Sequence, residues 1–132
     1  MILCVHLPPQ LLADCDSGQR QAVVLAVCEL AVQRSGVADV HIGPALAALR
    51  RGDGGPELSA GLEALVARLD EDAWDVQDAG DEAAYLARFA KARAAAALGF
   101  ALVGATDDAL YEALHAIGDE SAVLREARSA LS

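Results

Sequence analysis

Leu58, Leu62, Leu65, Val66, Leu69, Ala73 and Val76 recur three or four residues apart over five helical turns. That spacing lines one face of an α-helix and matches no face of a β-strand. Beyond Gly80 a second series, Tyr85, Phe89, Ala92, Ala96, Phe100 and Val103, shares one face of a helix running to about Val103. Its alanine run, Ala94–Ala97, combines the best helix former with the small side chain that a close helix contact needs. Leu110, Leu114 and Ile117 line a short helix ended by Gly118, and Val123, Leu124, Ala127 and Leu131 line a last one. The triplet Gly80-Asp81-Glu82 recurs as Gly118-Asp119-Glu120. In both, a glycine suited to a helix end precedes an aspartate suited to cap the next helix.

The N-terminal side reads the same way. Asp16-Ser17 offers caps for a helix to about Ser35, closed by Gly36, and within Ala22–Val32 only Glu29 is polar. Glu29 and Gln33, one turn apart, make a thin solvent stripe on it. A helix so apolar belongs in the centre of a bundle or at a subunit interface. Pro44 suits a first helical position, and Ala45–Arg51 makes a short helix ended by Gly52. Residues 51–56, Arg-Gly-Asp-Gly-Gly-Pro, read as a flexible joint within one domain spanning 1–132. Met1–Leu7 reads as a short extended arm stopped by Pro8-Pro9. The expected fold is therefore all-α: a single-domain bundle of five or six helices, antiparallel where connections are short. Ala22–Val32 and Ala92–Ala105 are both apolar around most of their circumference, and a small bundle encloses one such helix. The other is expected to leave a hydrophobic patch, which points to a homodimer or a dedicated partner.

Charge narrows the function. The formal net charge is −10, which repels phosphate backbones and anionic lipid, so neither nucleic acid nor membrane is an expected partner. The longest uncharged apolar stretch, Ala94–Thr106, is thirteen residues, too short to span a bilayer. Cys4, Cys15 and Cys28 are odd in number and form no CxxC pair, and no basic leader precedes the first apolar run, so a reducing, cytoplasmic setting is expected. His6, His41 and His115 show no ligand spacing. No serine elbow or phosphate loop is present, and no cofactor or metal ligand set is implied.

The most distinctive segment is acidic. Asp70, Glu71, Asp72, Asp75, Asp78, Asp81 and Glu82 place seven carboxylates in thirteen residues. At roughly 100° per residue, Glu71, Asp75 and Asp78 fall in a narrow wedge opposite Leu69, away from the core. Arg88, Lys91 and Arg93 on the next helix are the cations available to neutralise it. Trp74 lies beside the stripe, either as a core residue or as an anchor for a partner. Such a stripe is a solvated face or a docking surface for a basic protein. The segment Glu71-Asp72-Ala73-Trp74-Asp75-Val76-Gln77-Asp78-Ala79 also looks somewhat like the first acidic motif of MazG-type nucleotide pyrophosphohydrolases, a resemblance that implies a Mg²⁺-dependent all-α hydrolase. That family faces its first motif with a second acidic helix. Here Leu86–Val103 contains no carboxylate, which leaves Mg²⁺ without its octahedral oxygen set.

The reading that follows is a non-enzymatic protein-binding module, acting on a basic partner through Glu71, Trp74, Asp75, Asp78 and Glu82. Small acidic helical proteins that inhibit an enzyme or neutralise a toxin, as bacterial immunity proteins do, are the class analogy. A Mg²⁺-dependent hydrolase using the 71–78 carboxylates and a structural homodimer are the alternatives.

Overall fold

The computed structural model describes residues 15–53 and 55–132. The arm expected at Met1–Leu7 lies outside the described residues. Six helices and no strand are present among them: α1 (Ser17–Ser35), α2 (Ile42–Arg51), α3 (Pro56–Asp78), α4 (Glu82–Leu102), α5 (Thr106–Ile117) and α6 (Glu120–Leu131).

The ends are set by local chemistry. Asp16 Oδ1 accepts the Gln19 backbone N–H at 2.7 Å while Gln19 Oε1 accepts that of Asp16 at 2.9 Å. This reciprocal capping box satisfies two donors that a helix start otherwise leaves unpaired. Helix α2 begins at Ile42, two residues before the proline expected to open it. Asp39 is the reason: its side chain accepts the His41 N–H at 3.0 Å and its carbonyl accepts the Ile42 N–H at 3.1 Å. The turn so formed launches the helix early, and Pro44 still falls in the first turn, where its missing N–H costs nothing.

α3 and α4 form a long antiparallel hairpin, and α5 returns along α4. α1 packs against α2, α4, α5 and α6, while α2 bridges α1, α3 and α4. The core draws Val23, Val27 and Cys28 from α1, Leu62 from α3 and Leu98 from α4, all fully enclosed. Ala45, Ala48 and Leu49 of α2 belong to the same cluster, so one core runs across both sides of residues 51–56. Each enclosed leucine contributes about 1.5–3 kcal/mol relative to exposure.

The two strongly apolar helices fare differently. α1 is surrounded by four helices. α4 is enclosed on the side that carries Ala94, Ala95, Leu98 and Leu102. Its other side is open: Phe100 is 36% and Val103 58% exposed. The core also stops short of the hairpin's far end. Over residues 70–91 only Ala73 is buried, so this tip of α3 and α4 extends past the bundle.

Candidate functional site

The tip exists because two residues reverse the chain. Gly80 takes a left-handed conformation, φ +85°, in which a Cβ would meet nothing within 4 Å. Glycine is therefore needed there for its backbone freedom and not for space. The turn closes through Gly80 N–H to the Gln77 carbonyl at 2.9 Å and Asp81 N–H to that of Val76 at 3.0 Å. Asp81 Oδ1 then accepts the Ala84 N–H at 3.0 Å and starts α4. At the second copy of the triplet Asp119 Oδ1 does the same for Ala122, at 3.2 Å. The sequence echo is a shared turn chemistry.

All five residues singled out from the sequence reach solvent on this tip. Glu71, Asp75 and Asp78 are exposed on α3, and Glu82 is exposed in the first turn of α4. Trp74 is 59% exposed. It is a surface side chain and no part of the core. Among the described residues no ion pair engages Glu71, Asp75, Asp78 or Glu82, and Arg88 and Lys91 form none with them. Beside the stripe, a cleft of about 350 Å³ is lined by Leu65, Leu69, Asp72, Asp75, Arg68 and Asp39. Asp39 is held below the ordinary carboxylate pKa, first by the His41 backbone N–H and next by the His41 ring, whose Nδ1 lies 2.6 Å away.

The third cation, Arg93, serves another purpose. Its guanidinium reaches both Asp70 oxygens, at 2.9 and 3.1 Å, and Glu112 Oε1 of α5 at 3.0 Å. It also lies over the Phe89 ring, 5.3 Å from the centroid. One side chain thus ties α3, α4 and α5 together at the root of the tip. Within the acidic stretch 70–82, Asp70 is the carboxylate that Arg93 engages. Glu71, Asp72, Asp75 and Asp78 are exposed, and among the described residues no three of His, Cys, Asp or Glu are gathered as a metal ion requires.

Glu29 is half-buried and pairs with Arg50, whose Nε lies 3.0 Å from Oε2, so the lone acid of α1 anchors α2. Cys28 is enclosed, and burial pushes its thiol up to about 12. His115 Nδ1–H donates to the Tyr111 carbonyl, 2.9 Å away, and its ring lies 4.3 Å from the Tyr111 ring. Cys4 and His6 lie outside the described residues. No helix among the described residues is long and apolar enough to cross a membrane.

Of the two apolar helices, α4 is the one that leaves an exposed apolar surface, at Phe100 and Val103. Tyr85, Phe89, Arg93, Ala96, Phe100 and Val103 follow helical spacing along the outer side of α4, and Leu86, 54% exposed, sits beside them; Ala92, expected on this face, is fully buried, and Arg93 takes its place. Because Asp70 touches Arg93, Trp74 one turn beyond Asp70 lies at the level of Phe89, one turn before Arg93. The exposed tryptophan therefore continues the aromatic stripe of α4. The signal was present as a six-residue apolar face, but periodicity alone does not say which of two apolar faces a helix buries. No known protein family, characterised protein or solved structure matches the chain.

Proposed function

We propose that the chain is a non-enzymatic protein-binding module that engages a basic protein through the tip of the α3–α4 hairpin. The observation that carries the reading is the state of the tip itself. Carboxylates at Glu71, Asp75, Asp78 and Glu82 stand unpaired around a tryptophan that is 59% exposed. Solvation alone accounts for the acids but gives no reason to leave an indole in water, and tryptophan is among the side chains most enriched at the energetic centres of interfaces. Uncompensated negative charge accelerates encounter with a cationic partner and discriminates against acidic ones. An inhibitor or immunity-type role, in which the module caps a cationic site on an enzyme or toxin, is the version of this reading that suits a small acidic bundle.

Affinity capture from a cell extract tests it. Asp75→Lys with Asp78→Lys is compared with a control pair of equal charge change, Glu57→Lys with Asp107→Lys, both exposed and away from the tip. The reading expects a basic protein held by the native chain and by the control pair, and lost with the tip pair and with Trp74→Ala. Equal capture by both pairs contradicts it.

A further inference from the structure

The outer side of α4 is a floor with two acidic edges. Arg93 marks the centre line, and the carboxylates it touches mark the walls: Asp70 on α3 and Glu112 on α5. Helical spacing continues both walls. Glu63 lies two turns before Asp70, and Asp108 one turn before Glu112; both are exposed. Between the walls, the floor runs from Tyr85 and Leu86 through Phe89 and Ala96 to Phe100 and Val103. Eighteen residue steps at 1.5 Å give a length of about 27 Å. Tyr85 and Phe89 rest ring against ring, 5.9 Å apart. Trp74 on α3 and Tyr111 on α5, 59% and 50% exposed, stand at the edges. The one cation on the floor is shared between two carboxylates, so the surface keeps a negative excess along its length.

From this we infer that the α4 face receives an amphipathic helix of a partner protein, with its apolar side against Tyr85–Val103 and lysines or arginines along both flanks. The inference deepens the proposed function and rests on it, giving the basic partner a shape. A straight apolar strip of several turns fits the i, i+3, i+4, i+7 anchors of a helix. Acid on both edges fits cations on both sides of that strip, a pattern a flat basic surface does not present. The geometry also explains why Phe100 and Val103 stay exposed far from the acidic tip, which the stripe on α3 alone leaves without a reason.

The test uses the full chain with two synthetic peptides of roughly 20 residues, identical in Leu and Lys content. One has leucines at helical spacing and the other has them alternating. Trp74 is the sole tryptophan, so its emission reports occupancy directly when the peptides carry none. The helical peptide is expected to bind about thirtyfold tighter, to gain helicity, and to shift Trp74 emission to the blue. Phe100→Ser and Val103→Lys, both at exposed positions and remote from the tip carboxylates, are each expected to weaken it about tenfold while leaving the circular dichroism of the free chain unchanged. Asp75→Lys with Asp78→Lys is expected to weaken both peptides. If the two peptides bind alike and respond only to that pair, the acidic surface survives and the helix groove is overturned. If neither peptide responds to the pair, the underlying docking reading falls instead. A light-scattering mass of two chains, returned to one by Val103→Lys, assigns the face to a second copy and overturns the partner helix.

Discussion

Replacing Arg93 with methionine keeps the aliphatic stem and removes the charge that holds three helices at one point. Asp70 and Glu112 then face each other across α4 without a cation, their side chains only 27% and 15% exposed. Breaking a fully buried pair costs about 3–5 kcal/mol and an exposed one about 0.2–1. With partial exposure on every member, the expected loss is about 2–3 kcal/mol. For a domain of this size that lowers the Tm by about 10 °C. Urea unfolding monitored by circular dichroism measures the free energy, and thermal unfolding checks it. The cause is separable from lost packing: adding Asp70→Asn and Glu112→Gln to Arg93→Met removes the stranded charges and is expected to recover more than half of the loss. A cost below about 0.5 kcal/mol refutes the clamp, since the pairs then behave like solvated surface ions. A full cost with no recovery refutes the electrostatic cause and leaves contact with Phe89 as the source.

Three further outcomes follow from the same geometry. Asp39 has a lowered pKa, so its contribution is complete above the ordinary carboxylate value of about 3.9 and is lost as pH falls through the lowered one. The Tm difference between the native chain and Asp39→Asn is expected to persist at pH 5 and to vanish toward pH 2; a difference that grows on acidification contradicts the assignment. Cys28, buried and with its thiol raised to about 12, is expected to resist a thiol reagent at pH 8 in the folded chain and to react on unfolding in urea. Peptide mapping by mass spectrometry reads that site alone, and labelling at equal rates in both states overturns it. Trp74 fluorescence is expected to be quenched freely by acrylamide, and more by caesium than by iodide, because the surrounding carboxylates attract the cation and repel the anion. Equal quenching by the two ions contradicts an uncompensated acidic field.

The elements were legible because their boundaries are written in local chemistry. Asp16, Gly36, Asp81, Gly118 and Asp119 act in the folded chain where capping rules put them. The start of α2 was misread because Pro44 is a conspicuous signal and the Asp39–His41 turn an inconspicuous one. The acidic stripe was legible because Glu71, Asp75 and Asp78 share a wedge opposite Leu69, which is a property of one helix. Trp74 was open between core and surface, and the answer depends on how far the bundle extends along α3, a tertiary fact. The same limit leaves open which apolar side of α4 stays exposed. Both sides of that helix are apolar, and the alanine side was buried because small side chains let α1 and α5 approach. The aromatic side was left over. Arg93 was legible as a neutraliser of acids, but its partner Glu112 is nineteen residues away, and no spacing rule reaches across a turn into another helix.

The proposed docking role of the hairpin tip is tested most directly by the rate at which a captured basic partner associates, measured by stopped-flow Trp74 emission across a salt series. The account predicts fast association that slows steeply with salt, and for Asp75→Lys with Asp78→Lys a rate at least about tenfold lower at low salt with a flattened salt dependence. The control pair Glu57→Lys with Asp107→Lys is predicted to stay close to the native rate. Rates and salt slopes that fall equally for the two pairs mean that net charge alone matters, and contradict the claim that the hairpin tip is where the partner lands.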